Sequence, residues 1–151
     1  LRDTGEFEEA ERIFTETLTA LRRTRGDQAE PTIVVIYQYS GLLQRMERWQ
    51  DALPLSEELM RSADVLPAGH PFRMLTPMRY GMTMTGLGRF DEAQTALLES
   101  LKRLDAVGGG SPQWRGYVMQ ALVRLYEKWN KPEEAETWRK RIEELAAPKD
   151  T

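Results

Sequence analysis

The chain has 151 residues, 40 % of them hydrophobic, which is enough to bury the core of one ordinary domain and too much for a disordered tail. Lys and Arg number 21 against 24 Asp and Glu, and the net charge of −3 offers no general attraction for nucleic acid or anionic membrane, so neither is an expected partner. No cysteine and one histidine, His70, exclude disulfides, thiolate chemistry and multi-histidine metal sites; no metal or cofactor is expected.

No stretch approaches the roughly 18 apolar residues of a membrane helix, and no charged-then-apolar leader opens the chain; a cytoplasmic location is the expectation. Leu1 stands where methionine would, and Leu1 to Thr4 read as the tail of a helix, which marks a fragment of a longer polypeptide.

From Glu6 to about Arg25, Phe7, Ala10, Ile13, Phe14, Leu18 and Leu21 recur at the three-and-four spacing of one helical face. Glu6, Glu8 and Glu9 are placed in the first turn and Arg22, Arg23 and Arg25 in the last, the polarity the helix dipole favours; the arginines read as a solvated basic cluster. Gly26-Asp27 stops the helix, and Pro31 opens the next as a first-turn residue. Ile33-Val34-Val35-Ile36-Tyr37 alone reads as a strand, but the corresponding segments after Pro71 and Pro112 suit helices, so a helix is expected.

Asp51 to Val65 forms a helix with Ala52, Leu55, Leu59 and Leu66 near one face. Pro54 is expected to delay its start or distort its first turn. Leu66-Pro67-Ala68-Gly69 closes the unit. Pro71 opens a third region in which Thr76-Pro77 gives a second start signal, so a kinked or two-piece helix is expected, firm from Pro77 to Leu87. Phe90 to Val107 is the cleanest helix, aligned on Phe90, Ala93, Leu97, Leu101 and Leu104, and Gly108-Gly109-Gly110 ends it. Ser111-Pro112 caps a helix carried by Trp114, Val118, Leu122, Leu125 and Trp129 to Asn130. Pro132 begins the last, through Ala135, Trp138, Ile142 and Leu145, before Pro148 and a polar end.

One element recurs through this series. Gly5-Glu6-Phe7-Glu8-Glu9-Ala10, Glu47-Arg48-Trp49-Gln50-Asp51-Ala52, Gly88-Arg89-Phe90-Asp91-Glu92-Ala93 and Asn130-Lys131-Pro132-Glu133-Glu134-Ala135 are spaced so that Phe7, Trp49, Phe90 and Pro132 lie 42, 41 and 42 residues apart. Such a period marks a stack of similar units. Gly5 and Gly88, with Glu47 and Asn130 in their places, fall at turns. Phe7, Trp49 and Phe90 plug the corner between two helices, and Ala10, Ala52, Ala93 and Ala135 keep the second helix thin where it crosses its neighbours.

The element resembles the tetratricopeptide repeat, and its long period is similar to the kinesin-light-chain type, as are Gly69-His70-Pro71 and Leu125-Tyr126. The resemblance implies an all-α, right-handed superhelix (an α-solenoid) of seven helices: residues 1–26 as the second half of a repeat, then repeats at 31–66, 71–107 and 112–147. The segment from Leu125 to Arg139 also resembles the terminal repeat in C-terminal arrays of some bacterial serine/threonine kinases. None of a kinase's catalytic motifs is present, so such a piece would be an interaction arm. Glu47, Pro132 and Pro77 depart from the repeat pattern.

In the resembled fold the first helices line a concave groove. Counting back from each turn places Val34, Tyr37, Gly41 and Gln44 there, with Met78, Met82 and Thr85, then Tyr117, Gln120, Arg124 and Glu127; Gln38 and Arg79 fall at the border. This surface suits a peptide with apolar anchors and an acidic residue near Arg79 or Arg124. The alternative for Met78 and Met82 is packing between helices. The lysine and asparagine set that clamps a C-terminal carboxylate in such repeats is missing, since Gly41, Met82 and Arg124 occupy that stripe.

Candidate chemistry elsewhere reduces to structure. His70 before Pro71 reads as a turn or cap, and Glu8-Glu9, Asp91-Glu92 and Glu133-Glu134 as helix-start charges rather than acid/base pairs. Gly108 to Gly110 lack the lysine and threonine of a phosphate loop. The expected function is a non-catalytic protein- or peptide-binding scaffold; the alternative is a structural or intramolecular regulatory arm of a larger multidomain enzyme without an external ligand. Phe14, Leu18 and Leu21 are expected to be partly uncovered, a surface through which two copies would pair, while charged Arg139, Lys140, Arg141, Glu143 and Glu144 make the last helix a solvent-facing cap.

Overall fold

Prolines open four of the helices, and residues with left-handed backbone follow most of them. The computed structural model describes residues 2–147; the expectations for Leu1 and for the polar end from Pro148 lie outside them. The described residues form α1 (Arg2–Thr24), α2 (Glu30–Arg45), α3 (Trp49–Ser62), α4 (Pro71–Gly86), α5 (Phe90–Ala106), α6 (Pro112–Lys128) and α7 (Pro132–Ala146), with a 3₁₀ turn at Ala63–Val65 and, among these residues, no strand. The β-branched run from Ile33 is helical, with Ile33 and Ile36 fully buried. His70 and Ser111 each precede a first-turn proline and accept the amide two residues on, His70 Nδ1 from Phe72 and Ser111 Oγ from Gln113.

The expected turns recur at three of four positions. Glu47, Gly88 and Asn130 have φ of 56°, 78° and 61°. At each, the amide of that residue and of the next reach back to the preceding helix, as in Gly88 N–H to Thr85 O at 3.1 Å and Arg89 N–H to Met84 O at 2.9 Å. This pair of bonds satisfies carbonyls that a helix end leaves open, and it turns the chain sharply into the next helix. The first position is different: α1 runs through Gly5, and no turn forms there. Residues 2–4 continue α1 instead. Glu6, Glu8 and Glu9 consequently lie beyond the first turn.

The interior prolines neither delay nor divide their helices. α3 starts at Trp49 and carries Pro54 in its second turn. α4 is one helix rather than two, with Pro77 inside it. Pro77 has no amide for the carbonyl of Arg73, and Arg103 Nη1 donates to that carbonyl at 2.8 Å. The next amide, Met78 N–H, donates to buried Ser100 Oγ at 2.7 Å. Two side chains of α5 therefore repair the break, which is why the helix stays whole.

Each helix packs on the next, and in addition α2 packs on α4 and α4 on α6. The first helix of each unit thus lies beside the first helix of the following one, giving an all-α solenoid of helical hairpins. Leu43, Leu59, Met84, Leu97, Leu104, Leu122 and Leu125 are fully buried between them, as are Ala52, Ala93 and Ala135. The aromatics do more than close their own corners, because each meets the end of the next first helix. Arg45 of α2 lies over Phe7, the Trp49 ring rests directly on Gly86 of α4, and Phe90 stacks with Trp129 after α6. A Cβ at residue 86 would overlap the indole, so glycine is required there.

The first joint is polar. Glu11 of α1 accepts from Tyr39 Oη at 2.7 Å and Arg48 Nη1 at 2.8 Å, and these partners hold its carboxyl below the usual range. Arg22 is not a free surface cation: it binds Glu58 of α3 through both terminal nitrogens and also reaches Asp27. Leu18 is buried, against the expectation, while Phe14, stacked on Tyr39, and Leu21 are partly covered as expected, and Ile13 is half exposed.

Two stability changes are expected in urea unfolding. Ser100→Ala leaves Met78 N–H buried without a partner and should cost about 1–3 kcal/mol. Glu47→Gly relieves a left-handed glutamate and should gain about 1 kcal/mol.

Candidate functional site

The contact between successive first helices leaves two adjoining hollows along α2, α4 and α6. One, about 490 Å³, is lined by Tyr37, Met78, Arg79, Met82, Tyr117, Gln120 and Arg124. The other, about 620 Å³, is lined by Gln44, Met82, Thr85, Arg124 and Glu127. Met82, Ala121 and Arg124 border both, so the hollows form one continuous surface. Gln38 is exposed but lines neither hollow, and neither does Val34.

Several of these side chains have structural duties as well. Met78 and Tyr37 are buried and belong to the core, so packing between helices and lining the hollow are not exclusive for Met78. Gln44 is buried: its Nε2 donates to Arg79 O at 2.7 Å and Thr83 Oγ1 at 2.8 Å, and its Oε1 accepts from Arg79 Nη1 at 2.8 Å. Thr83 Oγ1 is 2.9 Å from Ser56 Oγ, extending this chain of polar contacts to α3. Gln44 is therefore a strut between α2 and α4, not a free hydrogen-bonding group of the groove.

Arg79 is packed on three sides. Its guanidinium lies 4.2 Å from the centroid of Tyr37, a cation–π geometry, and over Gly41, where an added Cβ would come within 3.0–3.2 Å of it. Burial pushes the Tyr37 hydroxyl pKa up, and the neighbouring Arg79 charge opposes that shift. Arg124 is exposed. Tyr117 is 46 % exposed and its hydroxyl accepts from Gln113 Nε2 at 2.6 Å.

Phe72 and Trp114 also line the first hollow, and Phe72 stacks on Tyr37 with centroids 4.1 Å apart. Their signal was present in the spacing. Phe72, Leu75, Arg79 and Met82 continue one helical stripe, as do Trp114, Tyr117, Ala121 and Arg124. Trp49 and Lys128 border the second hollow, with Lys128 Nζ 5.9 Å from the indole centroid; no first-helix stripe contains Trp49, which comes from α3.

The remaining candidate groups are engaged locally. His70 Nε2 lies 3.2 Å from Glu30 Oε1 while Nδ1 serves as the helix cap. Asp91-Glu92 and Glu133-Glu134 stand in first turns, with Glu92 paired to Arg89. Among the described residues, no group of three or more potential ligands is placed to hold a metal, and no helix is long and apolar enough to cross a membrane.

A family model described as tetratricopeptide repeat matches residues 1–29, which span α1 and the lead into α2. No curated protein matches the chain. The matched segment, the all-helical hairpins and their regular recurrence together support a tetratricopeptide repeat array. Repeats of this kind generally mediate protein–protein interaction and are generally non-catalytic.

Proposed function

We propose that the chain is a non-catalytic interaction module that holds a peptide segment of a protein partner across α2, α4 and α6. The observation that supports this most directly is the continuity of the two hollows over three successive first helices, with Met82 and Arg124 shared between them. Helices about 10 Å apart give a surface about 20 Å across, the reach of roughly six extended residues. Its composition fits such a ligand. Met82, Tyr117 and Trp114 offer adaptable and aromatic surface for side chains, and Gln120 and Arg124 offer exposed hydrogen-bond donors for orientation. Tyr117 and Arg124 combine exposure with residue types that dominate binding energy at interfaces.

The test is capture of partners by the chain and by the double variant Tyr117→Ala/Arg124→Ala, with helix content followed by circular dichroism. Both side chains are exposed, so the variant is expected to keep its helix content and to bind its partner at least about tenfold more weakly. Undiminished capture would remove this surface from the interface. Failure of both forms to capture anything would favour an arm that packs against its own neighbouring domain.

A further inference from the structure

The two hollows differ in charge. The one lined by Glu47 and Glu127 also contains Arg124 and Lys128, and Glu127 pairs with Arg139. The hollow lined by Tyr37 and Tyr117 contains Arg79 and Arg124 and no carboxylate at all. Among the described residues neither arginine forms an ion pair within 4.0 Å. In contrast, Arg12, Arg22, Arg48, Arg73, Arg89, Arg103, Arg115 and Arg139 all have carboxylate partners. Among the described residues Arg23, Arg25, Arg45, Arg61 and Arg141 also lack such a partner, but none of them lines this hollow, whose two guanidinium groups are thus its own uncompensated charge.

Arg79 is the more telling of the pair. It is partly withdrawn from water, its Nε is buried with no hydrogen-bond partner, and its position is over-determined by Gln44, the Tyr37 ring and the bare backbone of Gly41. A guanidinium held in one orientation loses little freedom when it binds, and its charge is less screened than that of a fully solvated side chain.

On the reading of the groove given above, we propose that Arg79 is the group that reads a carboxylate side chain in the partner segment, and that Gln44 and Gly41 are its positioning residues. The occupant is thus an acidic residue next to an apolar one, with the carboxylate at Arg79 and the apolar side chain among Met78, Met82 and Tyr117. Charge complementarity selects this occupant, because the hollow supplies positive charge and no acid of its own. Arg124, exposed and unbraced, attracts the same charge at longer range and contributes chiefly to association rate and salt dependence.

The test is selection of degenerate 12-residue peptides against the whole chain and its variants, followed by binding titrations of the best peptide and its Glu→Gln or Asp→Asn counterpart. The native chain is expected to enrich peptides with an acid at one fixed position and to prefer the acidic form by about tenfold. Arg79→Met should abolish that preference while retaining affinity for the apolar positions. Gln44→Glu places a carboxylate against Arg79 inside the protein and should also reduce the acid preference, whereas a merely structural loss would weaken both peptide forms alike. Gly41→Ala, which displaces the guanidinium without touching the ligand, should do the same to a lesser degree. Enriched peptides without a fixed acid, or an acid preference that survives in Arg79→Met, would overturn the assignment while leaving the groove intact. Enrichment of no peptide by the native chain would overturn both the assignment and the groove reading.

Discussion

The left-handed turn at Glu47, Gly88 and Asn130 is the constraint on which the remaining geometry depends. Each turn ties two amides back to the helix it ends and launches the next helix without a spacer. The residue two positions later then lands where its neighbour's first helix finishes, which is how Trp49 reaches Gly86 and Phe90 reaches Trp129. The same backbone event therefore sets the hairpin inside a unit and the contact between units. Glycine adopts this conformation freely and asparagine readily, while glutamate does so only under the hold of the two backbone bonds around it.

That arrangement has a consequence for α4, the middle first helix. It must contact α2, α3, α5 and α6, and it does so with a proline in its interior. Ser100 and Arg103 supply the lost donor and acceptor contacts from α5, so the break is kept on the side away from the groove. On the other side Gln44 ties α2 to both the backbone and the guanidinium of Arg79. The groove surface is consequently built on polar contacts that are themselves buried, which holds its side chains more tightly than apolar packing alone would.

The fold was largely legible because it is written several times. The interval from Trp49 to Phe90 to Pro132 exposes the repeat, and that repeat is what outweighs the strand-like composition of Ile33 to Tyr37. The candidate groove was legible in outline, since Tyr37, Met82, Tyr117 and Arg124 fall on one stripe of successive first helices. What could not be read were properties that need two elements at once. Ser100 and Arg103 lie 23 and 26 residues beyond Pro77, and no local rule announces that they will mend its helix. Gln44 looks like a free amide until α4 is placed against it, and Arg22 looks solvated until Glu58 arrives from α3. Gly5 carries the turn signature, yet α1 runs through it as continuous helix.

The central claim is that the surface formed by α2, α4 and α6 is where this array meets its partner. Amide hydrogen exchange on the chain alone and with a captured partner tests it most directly. Bound partner should slow exchange at the groove-facing stretches 37–44, 72–82 and 114–124 and leave the outer helices α3 and α5 unchanged. Protection confined to α3 and α5, or to the Ile13 face of α1, would contradict it.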